Sequence, residues 1–451
     1  MLSMINVAAI CSIKNFPYTA EYGFASVFYF GVAALFFFIP VSLVSAELAT
    51  GWPERGGVFV WVKEAMGHRL GFLAIWLQWI ENVVYFPTVL TFIAATIAYA
   101  TIPALAFNPI YTFGMVLCLF WLITWITLRG TKVSGIFSTL TVILGTIIPG
   151  LLIISLGFIW YYSGRPTTIF STHFIPDLSS PDKMSLMTGV LLGLAGMEMS
   201  ASHAREVQNP QKNFPRAIFL SAIIIMVLSI LGALSIAIVI PQGKIALHAG
   251  TIESISLFLN AYHLDAFAPV MAFLIAFGAI GTLSTWAAGP PKGLLAAAQC
   301  GDLPPVLHIL NKRDMPLGML IFQGIIVTIL STLFFFSPSV SNAFWMLIVL
   351  AAQLYLLMYS MMFVAALILR YKRPHVHRAY RVPGGQIGMW IVCSVGLFGC
   401  LFSFFLGFVP PAQLGHLSKP FYVGFLVIGV ILLSLIPFII LLFKRPSWNR
   451  P

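Results

Sequence analysis

Charged residues are scarce in this sequence. Asp, Glu, Lys and Arg make up 8% of the 451 residues, whereas a soluble globular domain carries about 25%. Hydrophobic residues make up 60%, so the chain has too few polar side chains to cover a fold surrounded by water. This composition excludes a cytosolic enzyme and a disordered protein, and it indicates an integral membrane protein.

Cysteine is also sparse, and the common cofactor motifs are missing. The five cysteines are scattered through apolar runs without a CxxC spacing, which argues against a disulfide framework and a thiolate metal site. The sequence contains no HExxH, Walker A or GxSxG motif. We therefore expect no metal, no cofactor and no enzymatic activity. The net charge of +11 is better explained by basic cytoplasmic loops than by nucleic-acid binding.

Long apolar runs predict an all-α membrane protein with twelve transmembrane helices. The runs have the length of about 20 residues that a helix needs to cross a bilayer. They are continuously apolar rather than alternating, which excludes β-strand spans. The predicted spans lie near residues 1–22, 26–50, 68–100, 108–128, 134–163, 184–205, 215–240, 263–299, 317–336, 342–370, 386–409 and 421–443.

The distribution of Lys and Arg predicts the orientation. If both termini are cytoplasmic, 19 of the 24 Lys and Arg residues fall in inside loops, four fall in outside loops, and Lys14 lies within the first span. This excess follows the positive-inside rule and supports an even number of spans in the inner membrane. Met1 begins almost inside the first apolar run without a signal-peptide pattern. Either the first span lies unusually close to the terminus or the natural N-terminus is longer, and we favour the longer N-terminus.

The first predicted span is interrupted by polar residues. Its sequence NVAAICSIKNFPYTAEYGF places Lys14, Asn15 and Glu21 at or near membrane depth. Pro17 removes a backbone donor and disfavours helix at Phe16, so we expect the helix to break there. Non-helical backbone at membrane depth is tolerated where it lines a cavity or is buried in protein.

The sixth predicted span is interrupted in the corresponding place. Its sequence GVLLGLAGMEMSASHAREV contains Gly193, Gly196, Glu198 and Ser200 near the middle. Paired broken helices in two halves indicate a secondary transporter built from inverted repeats. The helix N-termini at such breaks can hold a substrate carboxylate, and free carbonyl groups with nearby acids can hold an ammonium group. The pattern therefore predicts a binding site for an amino acid or amine.

Charged residues inside the spans are the main site candidates. Lys14 would either pair with Glu198 or hold a substrate carboxylate, because an isolated charge in the bilayer is costly. Glu81, in QWIENVVYF of the third span, is either a proton site or a structural hydrogen-bond acceptor. Glu21 is either a cation-attracting group at the outer end of the first span or a wetted acid.

Outside the site, we expect the acids at the cytoplasmic ends of spans to pair with Arg or Lys and to anchor loops. These are Glu47, after the second span, and Glu206, after the sixth. His203, which follows the second break, is either a titrating group that modulates activity or part of a solvated loop face.

Several motifs resemble those of amino acid–polyamine–organocation permeases, over nearly the whole chain. They are HAREVQNPQKNFPRAI (203–218), SAELAT (45–50) and GPPKGLLAAAQCGDLPP (289–305). RAYRVPGG (378–385) and the tyrosines of LYLLMY (354–359) are most similar to the glutamate/GABA antiporter group. The resemblance implies a LeuT-type fold with one five-helix repeat in 1–163, an inverted repeat in 164–370, and two further helices in 371–451. It also implies alternating-access exchange of amino acids.

The resemblance also implies roles for individual residues. Glu198 matches an acid that faces substrate, Tyr355 and Tyr359 match a tyrosine pair on span ten, and Lys292 matches a basic residue late in span eight. We expect the two tyrosines to contact the substrate or a gate rather than to be belt or core residues. Asn15 and Phe16 belong to the KNFP stretch, which matches a region where the antiporter has aromatic and acidic residues, and we expect them to bind substrate. Tyr355 and Tyr359 are four residues apart, so they share one helix face.

Two departures from that group leave the substrate open. Lys14 stands about where the antiporter has a tyrosine, and only eight residues follow the twelfth span, so we expect no C-terminal plug. A proton-coupled symporter on the same fold remains the alternative. We expect a small amino acid or amine as substrate, a lipid bilayer as surroundings, and a monomer or homodimer.

Overall fold

The computed structural model describes residues 7, 10–53, 56–129, 141, 143–167, 174–176, 178–179, 181–198, 210–313, 315–414, 417–445 and 448. Over these residues the protein is helical and contains no β-strand, with one isolated bridge between Leu310 and Pro316. The α-helices are α1 (Phe16–Ala20), α2 (Ser26–Ala33), α3 (Ile39–Gly51), α4 (Val58–Met66), α5 (His68–Thr101), α6 (Pro109–Thr127), α7 (Ile148–Tyr162), α8 (Pro181–Met184), α9 (Met187–Gly193), α10 (Pro210–Val239), α11 (Gly250–Ala261), α12 (Ala268–Gln299), α13 (Leu317–Ser331), α14 (Leu333–Phe336), α15 (Val340–Lys372), α16 (Gly385–Leu406) and α17 (Lys419–Leu442).

In the described part of the chain, ten helical stretches are long and apolar enough to cross a membrane. They correspond to the predicted spans two to five and seven to twelve, so the prediction of an all-helical, multi-pass membrane protein is confirmed. The stretches are Gly23–Gly51, His68–Thr101, Pro109–Thr127, Ile143–Tyr162, Phe219–Val239, Asp265–Leu283, Leu317–Phe336, Val340–Lys372, Gly385–Leu406 and Lys419–Leu442. The two remaining predictions, spans one and six, are those with interruptions, and their longest described helices are α1 and α9, of five and seven residues.

Helices α5 and α15 form the centre of the protein. In each, 78% of the most apolar 18-residue stretch is buried within the protein, compared with 17% in α17. A helix that is apolar all round is stable in the interior or against lipid, so burial separates the central helices from the lipid-facing ones. The polar residues of α5 and α15 therefore face other protein segments, where they can form a site.

Glu47 anchors the loop that follows α15. Its carboxylate accepts hydrogen bonds from Arg370 Nη2 at 2.5 Å and from the Val382 backbone N–H at 2.7 Å. Arg378 Nε lies 3.3 Å from the other carboxylate oxygen, and Glu47 is 1% exposed. The prediction that Glu47 is a loop anchor is confirmed, whereas Glu206 lies outside the described residues.

The segment between α10 and α12 packs against the first interrupted span. Thr251 Oγ1, in α11, donates to the Ile13 carbonyl at 2.8 Å. The buried His248 ring lies 2.8 Å from Ser341 Oγ and 3.0 Å from the Ala106 carbonyl oxygen. A neutral imidazole suits both partners, since it has one N–H donor and one acceptor nitrogen. Burial lowers the pKa of His248 to about 4, although the hydrogen bond to Ala106 opposes this shift.

Replacing Glu47 with Gln should destabilise the protein by about 3–5 kcal/mol, because it leaves buried arginine charges without their partner. The measurement is thermal unfolding of the purified protein in detergent. Glu64→Gln is the matched control, since the Glu64–Arg373 pair is at the surface, with side chains 35% and 53% exposed, and exposed pairs contribute about 0–1 kcal/mol. Equal effects of the two substitutions would contradict the anchoring role.

Acidification should destabilise the packing of the segment between α10 and α12, because the buried His248 becomes protonated. The pKa of His248 in the folded protein is about 4, below the usual value of about 6.5. Its contribution to the free energy of unfolding is therefore complete above pH 6.5 and is lost as the pH falls towards 4. The loss would reach about 3 kcal/mol. His248→Gln should flatten the stability profile between pH 6.5 and 4, whereas substituting the exposed His375 should not. If the stability profile of His248→Gln matches that of the unsubstituted protein, His248 is not the cause of the pH dependence.

Candidate functional site

The first interrupted span loses its helical path at Cys11 and Ser12. Ser12 has an extended backbone, with φ −137° and ψ 122°, and a short turn of 3-10 helix over Ile13–Asn15 leads into α1. The expected break at Phe16 and Pro17 was therefore wrong by about five residues. Pro17 lies in the first turn of α1, where a helix does not need its backbone N–H, so the proline starts a helix here rather than ending one.

The sixth span is interrupted directly after α9. The chain leaves the helix at Leu194, and Gly196 has φ +117°, a conformation that residues with a Cβ rarely adopt. The Gly196 backbone N–H donates to the Tyr359 hydroxyl at 2.9 Å. The break at Gly193–Gly196 that the sequence predicts is thus present, and glycine is required at its centre.

The two breaks lie against each other. A Cβ placed on Gly193 would lie 2.9 Å from Asn15 Nδ2, and one on Gly196 would lie 3.5 Å from Ile10. Any larger residue at Gly193 would push against the first break. Glycine at this position therefore allows the two interrupted segments to approach closely.

A cavity lies beside the two breaks, between them and the helices α5, α12 and α15. Its free volume is about 60 Å³, and it is partly open to solvent, which is room for a few water-sized groups. The polar lining comes from the two breaks and α5, with Tyr355 contributed by α15, Thr282 and Trp286 by α12, and Thr146 by the helical turn Ile143–Ile147. The lining residues include Ser12, Asn15, Glu81, Asn82, Tyr85, Thr146, Gly193, Thr282, Trp286 and Tyr355.

Glu198 is held by three side-chain donors next to this cavity. Tyr355 donates its hydroxyl to Oε1, Tyr359 donates to Oε2 at 2.5 Å, and Gln78 Nε2 donates to Oε1 at 3.3 Å. The carboxylate is buried, and Glu198 does not line the cavity. It therefore ties the second break to α15 and α5, while Tyr355 lies between it and the cavity.

Lys14 is fully buried and directed towards α5. Its ammonium group donates to Thr88 Oγ1 at 3.1 Å and lies 3.8 Å from the centroid of the Tyr85 ring. Glu81 is close enough to interact with it electrostatically. Of the two alternatives left open by the sequence, direct pairing with Glu198 is not what the structure shows. Tyr85 lines the cavity and separates it from the ammonium group.

Hydrogen-bond acceptors dominate the lining near α5. The side-chain oxygens of Asn15 and Asn82 are buried and have no hydrogen-bond partner among the described residues. Glu81 is 3% exposed and lines the same cavity. Buried acceptors without partners are costly, so a ligand with N–H donors would complement them.

The remaining candidates that the structure describes lie apart from the cavity. The Phe16 ring packs on Gly232 of α10, where an added Cβ would approach it to 2.2 Å. Glu21 accepts hydrogen bonds from the Gly243 backbone N–H at 2.8 Å and from Gln413 at 3.3 Å, which favours a structural role. Lys292 is exposed on α12, and Ser200 and His203 lie outside the described residues.

The sequence analysis missed several residues of α5. Gln78, Asn82, Tyr85 and Thr88 accompany Glu81 at spacings of three or four residues, so they share one helix face. Their recurrence in an otherwise apolar span was a usable signal. Trp286, in contrast, gave no local signal, since an aromatic residue in a span more commonly packs against lipid or other helices.

Comparisons with known proteins agree with this geometry. A family model described as amino acid permease matches residues 2–433. The chain is 44% identical over 439 residues to an uncharacterized transporter of Legionella pneumophila, covering 97% of this chain and 95% of that one. It is 33% identical over 444 residues to a glutamate/gamma-aminobutyrate antiporter of Lactococcus lactis, covering 97% and 88%.

A probable agmatine/putrescine antiporter of Lactococcus lactis is 25% identical over 376 residues, covering 81% of this chain and 78% of that one. The family match therefore extends from the first interrupted span to the last helix. Together with the ten apolar helices, it shows that the chain belongs to the amino acid permease family and is a multi-pass membrane transporter rather than an enzyme.

Proposed function

We propose that this protein exchanges amino acids or amines across the inner membrane by alternating access. The observation that carries the proposal is the cavity between the two interrupted spans, lined by polar groups from both breaks and from α5. The relatives named as antiporters of glutamate, gamma-aminobutyrate, agmatine and putrescine support the same class of substrate.

The proposed architecture has twelve spans with both termini in the cytoplasm. The ten continuous helices are joined by spans one and six, each in two parts. Residues 1–163 would form one five-helix repeat, 164–370 its inverted counterpart, and 371–451 two further helices. The interruptions then fall on the first helix of each repeat, which is the arrangement expected of an inverted-repeat transporter.

The substrate carboxylate would bind at the first break. The helical turn that starts at Ile13 leads into α1, and Ser12, Ile13 and Asn15 line the cavity. Backbone N–H groups at the start of a helix lack partners within the helix and attract anions. The amino group would lie between the acceptor-lined face of α5 and the C-terminal end of α9, where Gly193 lines the cavity and the helix end carries partial negative charge.

Glu198 would act by positioning the second break. Its carboxylate already receives three donors, and Tyr359 also accepts from Gly196. The network would hold the break against α15 in one conformation and release it when the repeats rock. This differs from direct contact of Glu198 with the substrate, and it assigns that contact to Tyr355.

Counterflow in proteoliposomes tests the transport mode. We expect vesicles preloaded with unlabelled gamma-aminobutyrate to accumulate labelled amino acid or amine several-fold faster than empty vesicles, because an exchanger returns faster when it is loaded. Protein-free vesicles are the control. Uptake driven by a pH gradient alone, without trans stimulation, would identify the proton-coupled symporter instead.

Gly196→Ala should reduce exchange about tenfold or more. The added Cβ must adopt φ +117°, and strain of this kind costs about 1–3 kcal/mol, so the break would change its geometry. Gly31→Ala is the matched control, since Gly31 lies in α2 and a Cβ there meets no atom within 4 Å. Initial exchange rates at equal protein amounts provide the measurement, and unimpaired exchange by Gly196→Ala would argue against a functional break.

A further inference from the structure

Glu81 is the one carboxylate that lines the cavity among the described residues. Unlike Glu198, it has no hydrogen-bond donor within the described part of the chain, although it is only 3% exposed. A carboxylate that faces a small cavity without donors is complementary to a ligand that brings positive charge and N–H groups.

The neighbouring groups also favour a ligand that carries positive charge and N–H donors. The unpartnered oxygens of Asn15 and Asn82 lie in the same lining. No Lys or Arg side chain occurs among the lining residues that the structure describes. Lys14 remains behind the Tyr85 ring, so it can balance part of the Glu81 charge without offering its N–H groups to a ligand.

The charges around the cavity add to the same preference. Lys14, Glu81 and Glu198 are buried there, and in their ionised forms they sum to −1. A ligand with a net charge of +1 would neutralise this set, a zwitterion would leave it unchanged, and an anion would raise it to −2. Because unbalanced charge at membrane depth is costly, cations and zwitterions should bind more tightly than anions.

We propose that Glu81 binds an ammonium group of the substrate and makes the transporter select amines and zwitterionic amino acids over anionic ones. This inference rests on the proposed function and specifies its substrate class. Putrescine and gamma-aminobutyrate represent the favoured class, and glutamate, which carries a second carboxylate and a net charge of −1 at neutral pH, represents the disfavoured one.

Ligand affinities of the purified full chain in detergent at pH 7.5 test the proposal. Putrescine and gamma-aminobutyrate should bind at least tenfold more tightly than glutamate, as judged by calorimetry or by thermal stabilisation. Glu81→Gln should weaken putrescine binding at least tenfold while leaving glutamate unchanged or tighter. A purely structural role for Glu81 would instead weaken all three ligands together.

Two further variants keep the result interpretable. Glu253→Gln is the control, because Glu253 is a partly buried acid of the outer helix α11 that does not line the cavity, and it should retain the order of affinities. Glu81→Asp retains the charge and should preserve the order even where Glu81→Gln folds poorly.

The outcomes separate this inference from the proposed function. Glutamate binding as tightly as gamma-aminobutyrate in the unsubstituted protein would overturn the inference, as would a uniform loss of affinity in Glu81→Gln. If exchange in proteoliposomes is nevertheless seen, the proposed function stands. If neither binding nor exchange of any of the three compounds is detected, the proposed function fails as well.

Discussion

The free-energy cost of a charge in the bilayer interior governs this structure. Three charged side chains lie buried around the cavity, and each is stabilised differently. Glu198 receives three donors, and Lys14 has a hydroxyl and an aromatic face. Glu81 faces the cavity with no donor in the described part of the chain. The first two form hydrogen bonds with protein groups, whereas Glu81 has, among the described residues, only the electrostatic attraction of Lys14 and would gain donors from a bound ligand.

The interrupted backbone obeys the same constraint. Backbone polar groups freed by a break must find partners, because lipid offers none. At the first break the Ile13 carbonyl accepts from Thr251 of α11, and at the second the Gly196 N–H donates to Tyr359 of α15. Each break is thereby tied to an element far away in sequence. Movement of α11 or α15 would consequently reach the cavity through these hydrogen bonds.

The helices could be predicted from sequence because the signal is local. Runs of apolar residues and the scarcity of charge specify the ten continuous spans, and polar or glycine interruptions identify the two broken ones. The position of the first break could not be predicted in the same way. Pro17 is compatible with both the end and the first turn of a helix, and the tertiary contact of Thr251 with Ile13, rather than Pro17 itself, accompanies the observed geometry.

The site was predicted less completely than the helices. Glu198 was identified as important, but its partners Gln78 and Tyr355 lie 120 and 157 residues away, so no local pattern could show that its carboxylate is already occupied. Lys292 follows Pro290 and Pro291 in α12 and is exposed, although a motif match suggested a site role. Glu81 was one of two acids of uncertain role, and its position towards the cavity depends on how α5 packs.

The difference between Glu198, which has hydrogen-bond donors, and Glu81, which has none among the described residues, also bears on the transport mode. In the proposed alternating-access cycle, the empty carrier would pass through an occluded state in which Glu81 is closed off from water without a counter-charge in the cavity. A bound ammonium group removes that penalty, so the loaded protein would cross the occluded state more readily than the empty one. Glu198 contributes no such difference, because its donors come from the protein and are present in both cases. The proposed exchange would then follow from the same carboxylate that would select the substrate, without a separate gate.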